Sequence, residues 1–191
     1  MGNYFGGISR QEMDDYRETV QGKFDDREIA HMHKLFHQAA PKGEMGQQEF
    51  KRYIESLQIF KRVDQQETYE QLFRGYDRDG DKSITFKEYL QYHLGIVFST
   101  EELFDIIFAM YDVDGDEFIT KDEMTAVITN STRWMGHCDV ESRDVRDAIE
   151  ATVDQIIKVA DRDGDKKLSK VELRAASQKH PEILEKLKNL A

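Results

Sequence analysis

Several things are scarce in this chain, and each scarcity removes a class of protein. Cys138 is the single cysteine in 191 residues, so no disulfide can form within the chain, which is the usage of a reducing compartment. No uncharged apolar run approaches the roughly 20 residues of a membrane-spanning helix. No basic stretch followed by an apolar core opens the chain, so a secretory signal is not read there and the expected location is cytoplasmic. The Asn130-Ser131-Thr132 sequon is then expected to stay unmodified. A basic stripe is also missing. With 27 Lys and Arg against 38 Asp and Glu, the net charge of −11 argues against a nucleic-acid partner. Nucleophile motifs, phosphate loops and catalytic carboxylate pairs are absent, so the reading is not an enzyme. The six histidines show no metal-ligand spacing with cysteine, and His31, His33 and His37 read as helix decoration.

What is present is an acidic pattern repeated three times. Asp77-Arg78-Asp79-Gly80-Asp81 leads to Glu88, Asp112-Val113-Asp114-Gly115-Asp116 to Glu123, and Asp161-Arg162-Asp163-Gly164-Asp165 to Glu172. The final Glu is the twelfth residue each time, which is the ligand spacing of the EF-hand calcium loop. Calcium is a hard cation that takes about 6–8 oxygens. Positions 1, 3 and 5 offer three Asp carboxylates, position 7 a backbone carbonyl (Ser83, Phe118 or Lys167), and position 12 a Glu able to bind through both oxygens. Ca2+ is therefore the expected ion at all three loops, with Mg2+ as its competitor. Position 6, normally Gly because the backbone turns there at positive φ, holds Lys82, Glu117 and Lys166. A side chain in that conformation costs about 1–2 kcal/mol. Loop charge also differs. Residues 77–88 carry four acids and three bases, residues 112–123 six acids and one base, and residues 161–172 four of each. Affinity follows ligand charge, so the middle loop is expected to bind most tightly and the last most weakly.

The acidic loops sit inside a larger helix–loop–helix repeat. Tyr69, Leu72, Phe73 and Tyr76 form one helical face before the first loop, and Phe86, Tyr89, Leu90 and His93 form one after it. A fourth, damaged copy lies upstream. Leu35-Phe36 mirrors Leu72-Phe73, Glu49-Phe50 mirrors Glu88-Tyr89, and Met45 takes the place of Ile84. Its loop is two residues shorter and lacks the acidic triplet, so it reads as a structural hand without an ion. The fold class is all-α: four EF-hands in two paired lobes, with short two-strand β ladders between paired loops. The lobes are expected at 1–95 and 96–191, with Asn130 to Arg143 as a flexible linker. Asp25 with Glu28, and Ser99 with Glu102, mark two helix starts.

Several segments resemble the neuronal calcium sensor family. These are the Met1-Gly2-Asn3 opening, the Lys23-Phe24-Asp25 approach to the first hand, the damaged loop Ala40-Pro41-Lys42-Gly43, and Ser177-Gln178-Lys179-His180-Pro181-Glu182-Ile183. The likeness spans nearly the whole chain. It departs from the family at Ala40, where the family carries Cys, and at the three position 6 residues. The resemblance implies a calcium sensor that exposes an aromatic groove in its N-terminal lobe and binds a target protein helix. Phe36, Tyr53, Tyr89 and Tyr92 are the candidate lining, set within a lobe that also holds Phe50, Phe60 and Tyr76. Gly2 is the candidate lipidation site for reversible membrane association, although Gly6 stands where M-G-x-x-x-[ST] asks for Ser or Thr. The alternative is a cytosolic calcium buffer resembling sarcoplasmic calcium-binding proteins. A calcium-triggered photoprotein is disfavoured by the single tryptophan, Trp134. Ile183, Leu184, Leu187 and Leu190 share a helical face, either packed on the C-terminal lobe or plugging the groove.

Overall fold

A computed structural model describes residues 7–57, 66–98, 101–135 and 139–189. Gly2, Phe60, Ser99, Cys138 and Leu190, each given a reading above, lie outside those residues. Among them the chain forms ten helices: α1 (Arg10–Thr19), α2 (Asp26–Ala39), α3 (Gln47–Ser56), α4 (Gln66–Tyr76), α5 (Phe86–Phe98), α6 (Glu101–Tyr111), α7 (Lys121–Met135), α8 (Arg143–Ala160), α9 (Lys170–Lys179) and α10 (Pro181–Asn189). Four short strands complete it: β1 (Glu44–Met45), β2 (Ile84–Thr85), β3 (Phe118–Thr120) and β4 (Lys167–Ser169).

The strands join the loops in pairs. β1 and β2 are antiparallel with Met45 opposite Ile84, and β3 and β4 place Ile119 opposite Leu168. All four of these position 8 side chains are fully buried, which fixes register because a one-residue slip would turn them outward. The architecture is that of four helix–loop–helix hands in two pairs, as the spacing predicts. Helix starts follow local chemistry. Asp25 caps α2 and Glu28 returns the bond to its N–H at 2.7 Å. A helix the periodicity does not announce, α1, begins the same way at Ser9 and Glu12.

The chain divides into two compact units, Met1–Lys61 with Tyr76–Ile106, and Arg62–Gly75 with Ile107–Ala191. In the first unit, α1 lies against α2 and α5. Arg17 reaches Asp26 through Nε at 2.7 Å and Nη2 at 2.6 Å, and Tyr16 meets Phe86 edge-on at 4.9 Å. Its core is aromatic. Tyr76 stacks on Tyr92 with centroids 3.6 Å apart, Phe50 meets Tyr76 at 5.1 Å, and Phe36 meets Tyr89 at 5.3 Å. Gly95 on α5 faces the start of α6, where an added Cβ would stand 2.9 Å from the Leu103 nitrogen, so this close crossing needs the missing side chain.

The second unit holds the β3–β4 ladder, the four helices α7 to α10, and most of α4. Thr68, Tyr69, Gln71 and Phe73 of α4 are buried in the structure, and Gln71 Nε2 donates to Ser131 Oγ at 3.1 Å. Ser131 lies in the stretch expected to be a linker. That expectation is corrected: α7 continues to Met135, because Asn130 to Met135 contains neither Gly nor Pro to stop it and Ser131 has a buried partner. At the C-terminus, Ile183 and Leu187 are buried on α10, which lies against α9, and Tyr111 Oη donates to the Leu187 carbonyl at 3.2 Å. The tail is thus packed on the core of the C-terminal hands.

Candidate metal centre

Each acidic loop begins on the last turn of its entering helix. The Asp112 N–H donates to Phe108 O at 2.9 Å and the Asp161 N–H to Ile157 O at 2.8 Å. The chain then wraps around the first aspartate. In all three loops the position 6 N–H donates to Oδ2 of position 1, from Lys82 to Asp77, Glu117 to Asp112 and Lys166 to Asp161, each at 3.1 Å. That bond demands the left-handed turn. Lys82, Glu117 and Lys166 have φ of 72°, 68° and 67°, so the non-glycine residues adopt the strained conformation the sequence implies.

Positions 3 and 5 are held by a stepping ladder of N–H donors. Asp79 Oδ1 accepts from Asp81 N, and Asp81 Oδ1 from Ser83 N; the same pattern runs through Asp114, Asp116 and Phe118, and through Asp163, Asp165 and Lys167. Position 12 closes the ring. Glu88 Oε1 accepts from Arg78 N at 2.9 Å and Oε2 from Thr85 N at 2.8 Å; Glu123 and Glu172 bind the matching residues of their loops.

Three groups of carboxylates can each bring one oxygen apiece to within 4.8 Å of one another: Asp77, Asp79 and Asp81; Asp112, Asp114 and Glu123; Asp161, Asp163 and Glu172. Asp77 Oδ1 is buried with no hydrogen-bond partner. An orphaned carboxylate oxygen facing further acids fits a cation, and an all-oxygen donor set fits Ca2+ or Mg2+ rather than a softer metal. Burial raises the pKa of Asp77, assisted by the fields of Glu88 and Asp81. Burial also raises that of Asp112 against hydrogen bonds from Glu117 and Gly115. At Glu123 burial works upward but is outweighed by donors from Thr120, Val113 and Asp114, and its pKa falls. The Ser169 hydroxyl leads the lowering at Glu172.

Two features of the site went unread in the sequence. Lys167 Nζ, from position 7 of the last loop, lies 3.2 Å from Asp116 Oδ2, at position 5 of the loop before it. Arg74 of α4 donates through Nη2 to the Met110 carbonyl at 3.1 Å, just ahead of Asp112. The β3–β4 pairing could have signalled the first, since Lys167 stands opposite Thr120. No spacing rule signals the second.

The four groove candidates occupy one neighbourhood of the first unit. Phe36, Tyr53 and Tyr89 are buried, with Tyr53 Oη and Tyr89 Oη 2.9 Å apart, and Tyr92 is half-buried against Tyr76. Tyr53 also borders an open cleft of about 920 Å³ at the damaged hand, together with Leu35, Pro41, Arg52 and Leu57.

Residues 100–178 match the family model of the EF-hand domain pair. That span covers both acidic loops of the second unit and their ladder. The fold is one of helix–loop–helix hands joined by short ladders, and its three acidic clusters are compatible with Ca2+. No helix among the described residues is long and apolar enough to cross a membrane.

Proposed function

We propose that this protein is a calcium sensor that binds Ca2+ at three loops and regulates a target protein. The observation that carries the reading is a cluster of three convergent carboxylates in each of the three acidic loops, with the buried, partnerless Asp77 Oδ1 in the first. Asp77, Asp79, Asp81 and Glu88 would hold one ion, with the carbonyl of Ser83. Asp112, Asp114, Asp116 and Glu123, with Phe118, would hold the second, and Asp161, Asp163, Asp165 and Glu172, with Lys167, the third. Ca2+ supplies the positive charge that lets these carboxylates converge. Mg2+ competes for the same oxygens, though a bidentate Glu favours the larger ion.

The sensor reading rather than the buffer draws on where position 12 leads. Glu88 lies in the first turn of α5, one residue before Tyr89 of the aromatic core. A shift of Glu88 is transmitted to Tyr89 and, through the hydroxyl pair, to Tyr53 on α3. Separation of these helices would open Phe36, Tyr53, Tyr89 and Tyr92 onto the cleft that Tyr53 already borders, and an amphipathic target helix fits such a groove. Acylation at Gly2 would add weak, reversible membrane association.

The test is isothermal titration with CaCl2 alongside a hydrophobic dye. Three binding steps are expected, the tightest lost in Glu123→Gln, together with a calcium-dependent rise in dye fluorescence. Three steps with no dye response would turn the reading to a buffer, and loss of the tightest step in Glu172→Gln would reverse the ranking of the loops.

A further inference from the structure

Helix α4 buries a polar stripe. Thr68, Gln71 and Arg74 recur every third residue, and Thr68 Oγ1, Gln71 Oε1 and Arg74 Nε are buried with no hydrogen-bond partner. Arg74 is the charged member. Its Nη2 donates to the Met110 carbonyl at 3.1 Å, on the last turn of α6, the helix that delivers Asp112 to its loop. A cation suits a helix C-terminus, where unpaired carbonyls carry partial negative charge. Burial lowers the pKa of this guanidinium, and the fields of Glu70, Asp112 and Glu123 act the other way. Two of those three acids are candidate metal ligands. A half-buried guanidinium with an unpaired Nε–H is expensive unless nearby negative charge offsets it; Glu70, one turn earlier on α4, supplies part of that charge, and Asp112 and Glu123 supply the rest.

We propose that Arg74 is an internal counter-charge for the 112–123 loop, so that the docking of α4 and the occupancy of that loop by a divalent cation oppose each other. The inference rests on the reading that this loop binds calcium. Without an ion, Asp112 and Glu123 attract Arg74 and favour its seat on Met110. With a dication among them, much of that attraction is cancelled, while Arg74 keeps its charge because a guanidinium stays protonated at neutral pH. Reciprocity follows from linkage: whatever occupancy does to the seat of α4, the seat of α4 does to affinity, by the same factor. The effect has a short route onward, because Asp77, the first ligand of the preceding loop, stands three residues after Arg74 in the chain. Occupancy of one loop thereby bears on the helix that leads into another.

The experiment is CaCl2 titration of the full chain as wild type, Arg74→Met and Arg74→Lys, with Glu123→Gln marking which step belongs to this loop. Arg74→Met keeps the aliphatic stem in place and removes the charge. It is expected to tighten the marked step about five- to tenfold and to lower the melting temperature more in EDTA than in calcium. Arg74→Lys, which keeps the charge, should stay near wild type in affinity. An unchanged or weakened step in Arg74→Met, with equal destabilisation in EDTA and calcium, makes Arg74 a structural clamp and overturns the proposal. Amide exchange of wild-type α4 is independent of whether the Met variant folds. Protection there should fall as the marked step saturates, and unchanged protection also overturns the proposal. If Glu123→Gln removes no step, the calcium reading of the loop fails and this inference falls with it. If it removes one and Arg74→Met does not shift it, only this inference falls.

Discussion

At the scale of the residue, the three loops present the same exception to the usual EF-hand pattern. Lys82, Glu117 and Lys166 carry positive φ where glycine would turn freely, and Gly80, Gly115 and Gly164 two residues earlier do so without cost. The strain is tolerated because the bond from the position 6 N–H to the first aspartate holds the turn, and the side chains point into solvent. Replacement with glycine removes the Cβ clash and adds unfolded-chain entropy, the first effect being larger. Lys166→Gly is therefore expected to stabilise the calcium-free protein by about 1 kcal/mol, a rise of roughly 2–4 °C in melting temperature for a chain of this size. Calorimetry in EDTA checks it, with Lys166→Ala as a control that keeps the Cβ and should show no gain. A fall in melting temperature for the glycine variant would mean that the lysine stem contributes more than the strain costs.

At the scale of the element, the paired hands were legible because two periodicities agree, the twelve-residue ligand spacing and the helical apolar faces on both sides of it. Met45 could be placed opposite Ile84 from spacing alone, and the ladder has that register. The first helix, by contrast, is largely polar and buries Met13 alone, so its apolar face gave no signal, although its Ser9–Glu12 box was readable. Arg74 was illegible for a different reason. Its hydrogen-bond partner, the Met110 carbonyl, lies 36 residues away, and only packing brings a cation on one helix to the carbonyl end of another. Helix α5 shows a similar dependence on packing at His93. Its ring lies among Tyr76, Tyr89 and Tyr92, and its Nδ1–H donates to the Tyr89 carbonyl at 2.7 Å. Burial lowers its pKa from 6.5, against the raising effect of that hydrogen bond. A lowered histidine pKa means the unfolded chain binds the proton first. The stability His93 contributes is complete above pH about 6.5 and declines as pH falls from there through its folded value. Urea denaturation at pH 7.5 and 5.5 should show wild type losing more stability between the two than His93→Gln does. Parallel losses would place the titrating group elsewhere, with His33, whose pKa burial also lowers, the next to replace.

At the scale of the whole molecule, charge governs how the calcium-free and calcium-loaded forms differ. The chain carries a net −11, and its acids cluster in loops that hold like charges within a few ångströms of one another. Backbone N–H donors, Lys167 and Arg74 offset part of that repulsion, and the remainder lowers the stability of the calcium-free form. A cation bound at each loop removes the repulsion locally and adds binding free energy to folding, about 2.7 kcal/mol per site at a hundredfold excess over Kd. Salt relieves the same repulsion without binding specifically, since the Debye length falls to about 10 Å at 0.1 M. Calcium and salt therefore act on a shared term and should not add. In EDTA the melting temperature is expected to climb as NaCl rises from about 20 to 300 mM, a range over which screening tightens several-fold. In saturating CaCl2 the climb should be smaller or reversed, because the repulsion is already met and salt then weakens attraction between carboxylates and ion. Melting curves across that salt range, with EDTA and with CaCl2, measure both slopes. Equal slopes would mean that the acidic loops do not limit the stability of the calcium-free form, and that the difference between the two forms lies in packing alone.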